Sequence, residues 1–219
     1  QKFMDSPKKS SLRAIILVIV IAIVASVIVS GSYEISADRI LKNQQDRQLA
    51  TLDELLQNSI YDEVIENFNV AETINISRDL RPIPVYIAIH NRAPIAVVYS
   101  AGSSQGYNGP IHMLVGINMN GNITGVRIIS HRETPGLGDQ IEIEKSNWIT
   151  NFNQKNISNP SLPQWKVTKD GGKFDGFTSA TITARAVIHT VRDALMHFEK
   201  NKENYISGSI TLPTKNGYE

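Results

Sequence analysis

The chain has 219 residues, enough for one domain of ordinary size and an appendage. Lys plus Arg number 22 against 21 Asp plus Glu, a formal charge of +1, which removes the electrostatic case for nucleic acid as a partner. There is no cysteine, so disulfides, thiolate metal sites, cysteine-held iron–sulfur clusters and C-x-x-C-H haem attachment are excluded, and any redox role must rest on another kind of group.

The first predicted element is a membrane helix. From Ala14 to Val29 the chain is apolar apart from Ser26; carried through Ser32 it makes roughly 28 Å of helix at ~1.5 Å per residue, close to the hydrocarbon thickness of a bilayer. Lys2, Lys8, Lys9 and Arg13 precede it with Asp5 as the only acid, and Glu34 and Asp38 follow. This charge bias predicts residues 1–13 in the cytoplasm, a single span over 14–32, and the remainder on the far side. A cleaved signal peptide has the same general pattern, but the apolar run is at the long end for one.

Residues 33–80 read as a stalk and connection. Glu34 to Gln57 lacks proline and carries one apolar stripe (Ile40, Leu41, Leu49, Leu52, Leu55, Leu56), which predicts a helix leaving the membrane. Tyr61 to Phe68 reads as a short helix. Strands are predicted at Val85–His90 and Pro94–Tyr99, joined by Asn91-Arg92-Ala93, and at Ile111–Met119 and Ile123–Ser130, joined around Asn120-Gly121. A Gly/Pro-rich loop at Glu133 to Gly138, a short helix near Trp148 to Phe152 and a short strand at Trp165-Lys166-Val167 come next. The long helix is predicted from Ile182 to about Phe198, because Ala184, Val187, Ile188, Val191, Leu195 and Phe198 recur at spacings of three and four. Hairpins interrupted by helices predict an α+β domain over 81–205, with an antiparallel sheet and helices on one side, followed by a tail over 206–219.

The chemistry points to the start of that helix. Thr178, Ser179, Thr181 and Thr183 put four hydroxyls in six positions, and Lys169-Asp170-Gly171-Gly172 precedes them with a cation and a flexible approach. A helix N-terminus offers unpaired N–H groups and the positive end of a dipole, so an anion such as a phosphate is well placed there. The plain alternative is a cap: Thr178 or Ser179 can satisfy the first turn and do nothing else. His90, His112, His131, His189 and His197 show no ligand spacing, so no metal is assigned.

Asp175-x-x-Thr178-x-Ala180-Thr181 resembles the D-x-x-(S/T)-G-A-(T/S) signature of FMN-binding domains that carry their flavin through a threonine phosphoester. The departure is Ser179, where that signature has glycine. The likeness continues through Gly106-Tyr107-Asn108-Gly109-Pro110, Asn120-Gly121, His131-x-Glu133-Thr134-Pro135-Gly136-Leu137-Gly138-Asp139 and Thr181-Ile182-Thr183-x-Arg185-Ala186-Val187. With the N-terminal anchor it covers nearly the whole chain and is similar to the G subunits of the Rnf (Rsx) electron transport complexes.

This resemblance implies an FMN esterified to Thr181 by a separate Mg-dependent flavin transferase that uses FAD. Candidate contacts are Thr178, Ser179, Ala180 and Asp175 around the attachment, Tyr107, Glu133, Thr134, Gly136 and Leu137 at the ring, and Lys169 as a charge partner. It also implies the inner membrane of a bacterium with the flavin domain periplasmic. The implied partners are the membrane A and E subunits with an iron–sulfur centre, a flavin-bearing D subunit, and the B and C subunits. Two other readings stay open from the residues. One is the C subunit of a sodium-pumping NADH:quinone oxidoreductase, which shares the E-T-P-G-L-G loop; the other is a periplasmic sensor or scaffold without a redox group.

Overall fold

The computed structural model describes residues 15–26, 50–56, 61, 63–67 and 85–207. The N-terminus over 1–13, residues 14 and 27–32 of the expected span, most of the expected stalk and the tail from 208 lie outside the described residues. The chain divides into two compact units, residues 1–49 and 50–219. In the first, residues 15–26 are helical and their apolar side chains are exposed. Among the described residues no helix is long and apolar enough to cross a membrane, and 15–26 covers only part of the stretch expected from 14 to 32.

The second unit is built on an antiparallel sheet of five strands: β1 (Glu63–Asn67), β2 (Val85–His90), β3 (Ala93–Ser103), β4 (Ile111–Asn118) and β5 (Ile123–Ser130). Their spatial order is β1-β2-β3-β4-β5. Both predicted hairpins are present. Asn91 and Arg92 take positive φ (50° and 64°) in the tight β2–β3 turn, as a primed two-residue turn requires. The β4–β5 loop closes through Gly121 at φ 85°, and the Asn118 side chain accepts from the Asn120 and Asn122 N–H groups.

Strand periodicity sorts the side chains into two cores. Val85, Ile87, Val97, Tyr99, Met113, Val115 and Ile117 face the C-terminal helix Thr181–Ile206, whose Ala184, Val187, Ile188, Val191, Leu195 and Phe198 are all buried as the spacing predicts. Tyr86, Ala88, Ala96, Val98 and Leu114 face the other way and meet Leu52, Leu55 and Leu56 of helix 50–56. Helices therefore cover both faces of the sheet, where the sequence suggested one. The compact unit begins at Ala50 rather than near residue 81, because the Leu stripe of the supposed stalk is the cover of the second face. Opposed glycines make that cover possible. Gly116 and Gly125 are register partners on β4 and β5, and a Cβ on Gly125 would stand 2.8 Å from Leu55 Cδ2.

Two local expectations change and a third holds. The segment expected as a helix at Tyr61–Phe68 supplies β1: Val64 and Ile65 are β-branched, and pairing with the edge of β2 outweighs one marginal turn of helix. The strand expected at Trp165–Val167 reduces to a single bridge, Val167 to Phe174, flanked by 3-10 turns at Leu162–Gln164 and Thr168–Asp170. Trp148–Phe152 is helical as expected, within a 3-10 helix over Asn147–Phe152.

Candidate functional site

The long helix starts at Thr181, with Ala180 at the N-cap and no side-chain cap. Neither Thr178 nor Ser179 caps it. Both sit exposed in a turn closed by Ala180 N–H donating to the Phe177 carbonyl at 3.2 Å, one step too early to reach the first helical turn. The helix thus presents its dipole's positive end with no side-chain cap on its first N–H groups. Thr181 is half-buried, and its hydroxyl donates to the Phe177 carbonyl at 3.1 Å, which leaves the oxygen lone pairs unused by that bond. Among the described residues the non-glycine positions with positive φ are Asn91, Arg92 and Gln154. Ser179 therefore occupies backbone that any L-residue adopts, and the missing glycine costs no strain.

The turn beneath is held by aromatic packing. Trp148 Nε1–H donates to the Asp175 carbonyl at 2.6 Å, and its ring lies 4.8 Å from that of Phe177 and 5.4 Å from that of Phe152. The Asp175 carboxyl itself is exposed. Behind, Arg185 clasps Asp170 with two hydrogen bonds of 2.6 and 2.8 Å, and that guanidinium holds the Asp170 carboxyl below its ordinary value. Arg185 is one helical turn past Thr181, so this clasp ties the 168–170 turn to the start of the helix. Lys169 lies exposed on the same turn.

Glu133 joins the remaining pieces. It is buried, 5% exposed; one oxygen accepts from the Asn108 N–H at 3.2 Å and the other from the Thr183 hydroxyl at 2.5 Å. The Asn108 side chain in turn donates to Thr134 Oγ1 at 2.8 Å. Loop 106–109, loop 133–138 and the first helical turn are thereby brought to one place. Gly106 and Gly138 leave room for the carboxyl: a Cβ on either would come within 2.8 Å of an atom of Glu133. Around this knot stand exposed apolar groups, Tyr107 at 67%, Leu137 at 43% and Ile182 at 46%. The loop between them folds back through Leu137 N–H and Gly138 N–H onto the Thr134 carbonyl, with Gly136 at φ 78° and nothing within 4 Å of the place its Cβ would take.

The structure therefore gathers Tyr107, Glu133, Thr134, Gly136, Leu137 and the helix start, and sets Asp175 and Lys169 on neighbouring segments. Asn108, Trp148 and the Asp170–Arg185 clasp are partners that the sequence did not single out; only the spacing of Arg185 from Thr181 offered a signal. A separate polar cavity of about 500 Å³ reaches Asp175 and is lined by Asn151, Lys155, Gln164 and Lys173 among others, but not by Thr181, Tyr107 or Leu137.

An uncapped helix start with a hydroxyl on its first residue, beside an apolar and glycine-relieved loop, fits an anionic tail joined to a flat ring. Comparison with known proteins agrees. Residues 106–196 match the FMN-binding domain family. A protein of Shewanella piezotolerans, described as the G subunit of an ion-translocating oxidoreductase complex, is 34% identical over 210 residues, 95% of this chain and 99% of that protein. The chain belongs to that family of G subunits. Proteins of Vibrio atlanticus and Vibrio cholerae with the same description are 36% and 34% identical, over 80% and 86% of this chain and 84% and 90% of their own lengths.

Proposed function

We propose that this chain is the flavin-bearing relay subunit of a membrane-bound ion-translocating ferredoxin:NAD oxidoreductase, with FMN esterified to Thr181. The observation that carries the reading is the half-buried Thr181 hydroxyl on an uncapped helix start, drawn by Glu133 and Thr183 against loop 133–138. Attachment breaks the Thr181 O–H bond and the P–O–P bond of FAD, forms one O–P ester, and releases AMP with the proton. A separate transferase performs it. Thr178, Ser179 and Ala180 shape the turn that exposes the oxygen, and the Trp148 bond to the Asp175 carbonyl holds that turn in place.

Bound FMN supplies reversible uptake of electrons. Leu137 and Tyr107 offer the ring apolar contact, Thr134 and the backbone at Gly136 offer polar contact, and Lys169 places a cation on the approach. Residues 14–32 anchor the chain in the inner membrane, with 1–13 cytoplasmic and the unit from Ala50 onward periplasmic. The covalent tether keeps the flavin from being lost to that compartment. It also fixes the flavin's distance to its partners in the complex: the iron–sulfur A and E pair, the flavin-bearing D protein, and the B and C proteins.

The test is intact mass and in-gel fluorescence of the chain made in a host that has the transferase. The wild-type chain is expected to gain the mass of one FMN less one water on the Thr181 peptide and to fluoresce after denaturation. Thr181→Ala is expected to lose both. An unmodified wild-type mass, or a Thr181→Ala chain that keeps its flavin through denaturation, would refute the reading.

A further inference from the structure

Glu133 is a buried carboxyl that enters no ion pair among the described residues. An acid so placed ordinarily needs a cation, because burial strips its hydration. Here the compensation is partial. It comes from the Asn108 N–H, the Thr183 hydroxyl and the positive end of the helix, in which Thr183 is the third residue. Two glycines close over the carboxyl: a Cβ on Gly106 would stand 2.8 Å from Oε1, and one on Gly138 2.7 Å from the Glu133 Cβ. No side chain of those two residues screens the group from the loop, and little water reaches it.

Each carboxyl oxygen accepts from a group of the knot, Asn108 or Thr183, and the residue is 5% exposed, so Glu133 points into the knot rather than outward to a ligand. The loop that follows it, Thr134 to Gly138, is the surface assigned to the ring in the proposed function, and the inference rests on that assignment. A flavin held there would take up two electrons and one proton on full reduction and would then carry one negative charge. A negative charge buried behind that loop would oppose that addition, since Coulomb energy scales inversely with the local dielectric.

We propose that Glu133 is a positioning residue that lowers the reduction potential of the flavin through its buried charge, instead of contacting the flavin as the sequence suggested. The same carboxyl that ties the ring loop to the helix start keeps the bound group a stronger reductant.

The experiment is a redox titration of the full chain carrying its flavin, with occupancy read beforehand by intact mass. Glu133→Gln keeps the shape, with one oxygen still able to accept from Asn108 and the amide able to donate to Thr183, and removes the charge. The midpoint is expected to move to a more positive potential. Thr183→Val keeps the charge and removes one of its two donors; at mildly alkaline pH its midpoint is expected to move the other way. A merely structural role moves neither midpoint, or moves both in the same direction, and either result overturns the proposal. Loss of flavin from a folded Glu133→Gln chain also overturns it, in favour of a role in loading. If that variant does not fold, the sign of the Thr183→Val shift decides. A wild-type chain without flavin would instead mark the failure of the proposed function.

Discussion

Replacing Trp148 by Phe tests whether the turn before the helix is held from below. The substitution leaves an aromatic ring against Phe152 and Phe177 but removes the indole N–H that donates to the Asp175 carbonyl at 2.6 Å. Trp148 is 8% exposed, while Asp175 is exposed and borders the polar cavity, so water replaces part of the lost bond. The lost bond costs about 1 kcal/mol and the smaller ring in a packed cluster about 1–2 more, for a total of about 2–3 kcal/mol. In a unit of this size that lowers the melting midpoint by roughly 5–10 °C. The chain has two tryptophans, so after the change all indole emission comes from Trp165, which is buried and packed at a tilt 4.8 Å from Phe174 in the same cluster. Thermal unfolding followed by that emission gives the stability, and intact mass gives the fraction of chains carrying flavin, which is expected to fall. A midpoint within about 2 °C of wild type, together with undiminished loading, would refute the reasoning.

Two further perturbations probe the scaffold. Gly125→Ala places a methyl group 2.8 Å from Leu55 Cδ2 and is expected to cost about 1–3 kcal/mol, with faster amide exchange in helix 50–56 as the local signature. Urea denaturation with exchange measurements checks it. His197, buried beside the Tyr99–Tyr205 hydroxyl pair, has its imidazole pushed down to about 4 by burial and secondarily by Lys200. The unfolded chain takes up this proton near the ordinary value of 6.5 and the folded chain only near 4, so stability falls as pH drops through that window, by at most about 3 kcal/mol. His197→Asn is expected to flatten the dependence of urea midpoints on pH between about 7 and 4, and an unchanged slope would count against it.

The long helix and both hairpins were legible in the sequence because their signals are local: spacings of three and four, a period of two, and Asn-Gly or Asn-Arg at the turns. β1 was not, since Glu63–Asn67 is a strand only by virtue of β2, whose partner residues lie further along the chain. The Leu52, Leu55 and Leu56 stripe was visible, but its destination was not, because the glycines that receive it stand on β4 and β5. At the candidate site the hydroxyl cluster pointed to the turn from which the long helix does start. The capping role read from it failed, because a propensity for Thr and Ser at the N-cap does not say which residue begins the helix. Glu133 was singled out by its neighbours in the loop. Its real surroundings, Asn108 and Thr183, are contacts across 25 and 50 positions that no spacing rule encodes.

The strictly sequential order of the strands has a consequence for how the molecule comes into being. Each strand adds to the one made just before it, so the pleated scaffold can zip up progressively during synthesis with short closures and no threading. The segment bearing Thr181 emerges afterwards and lands on a platform already complete. If Thr181 carries the flavin as proposed, a maturation enzyme would meet that threonine on a finished surface, late in the life of the nascent chain.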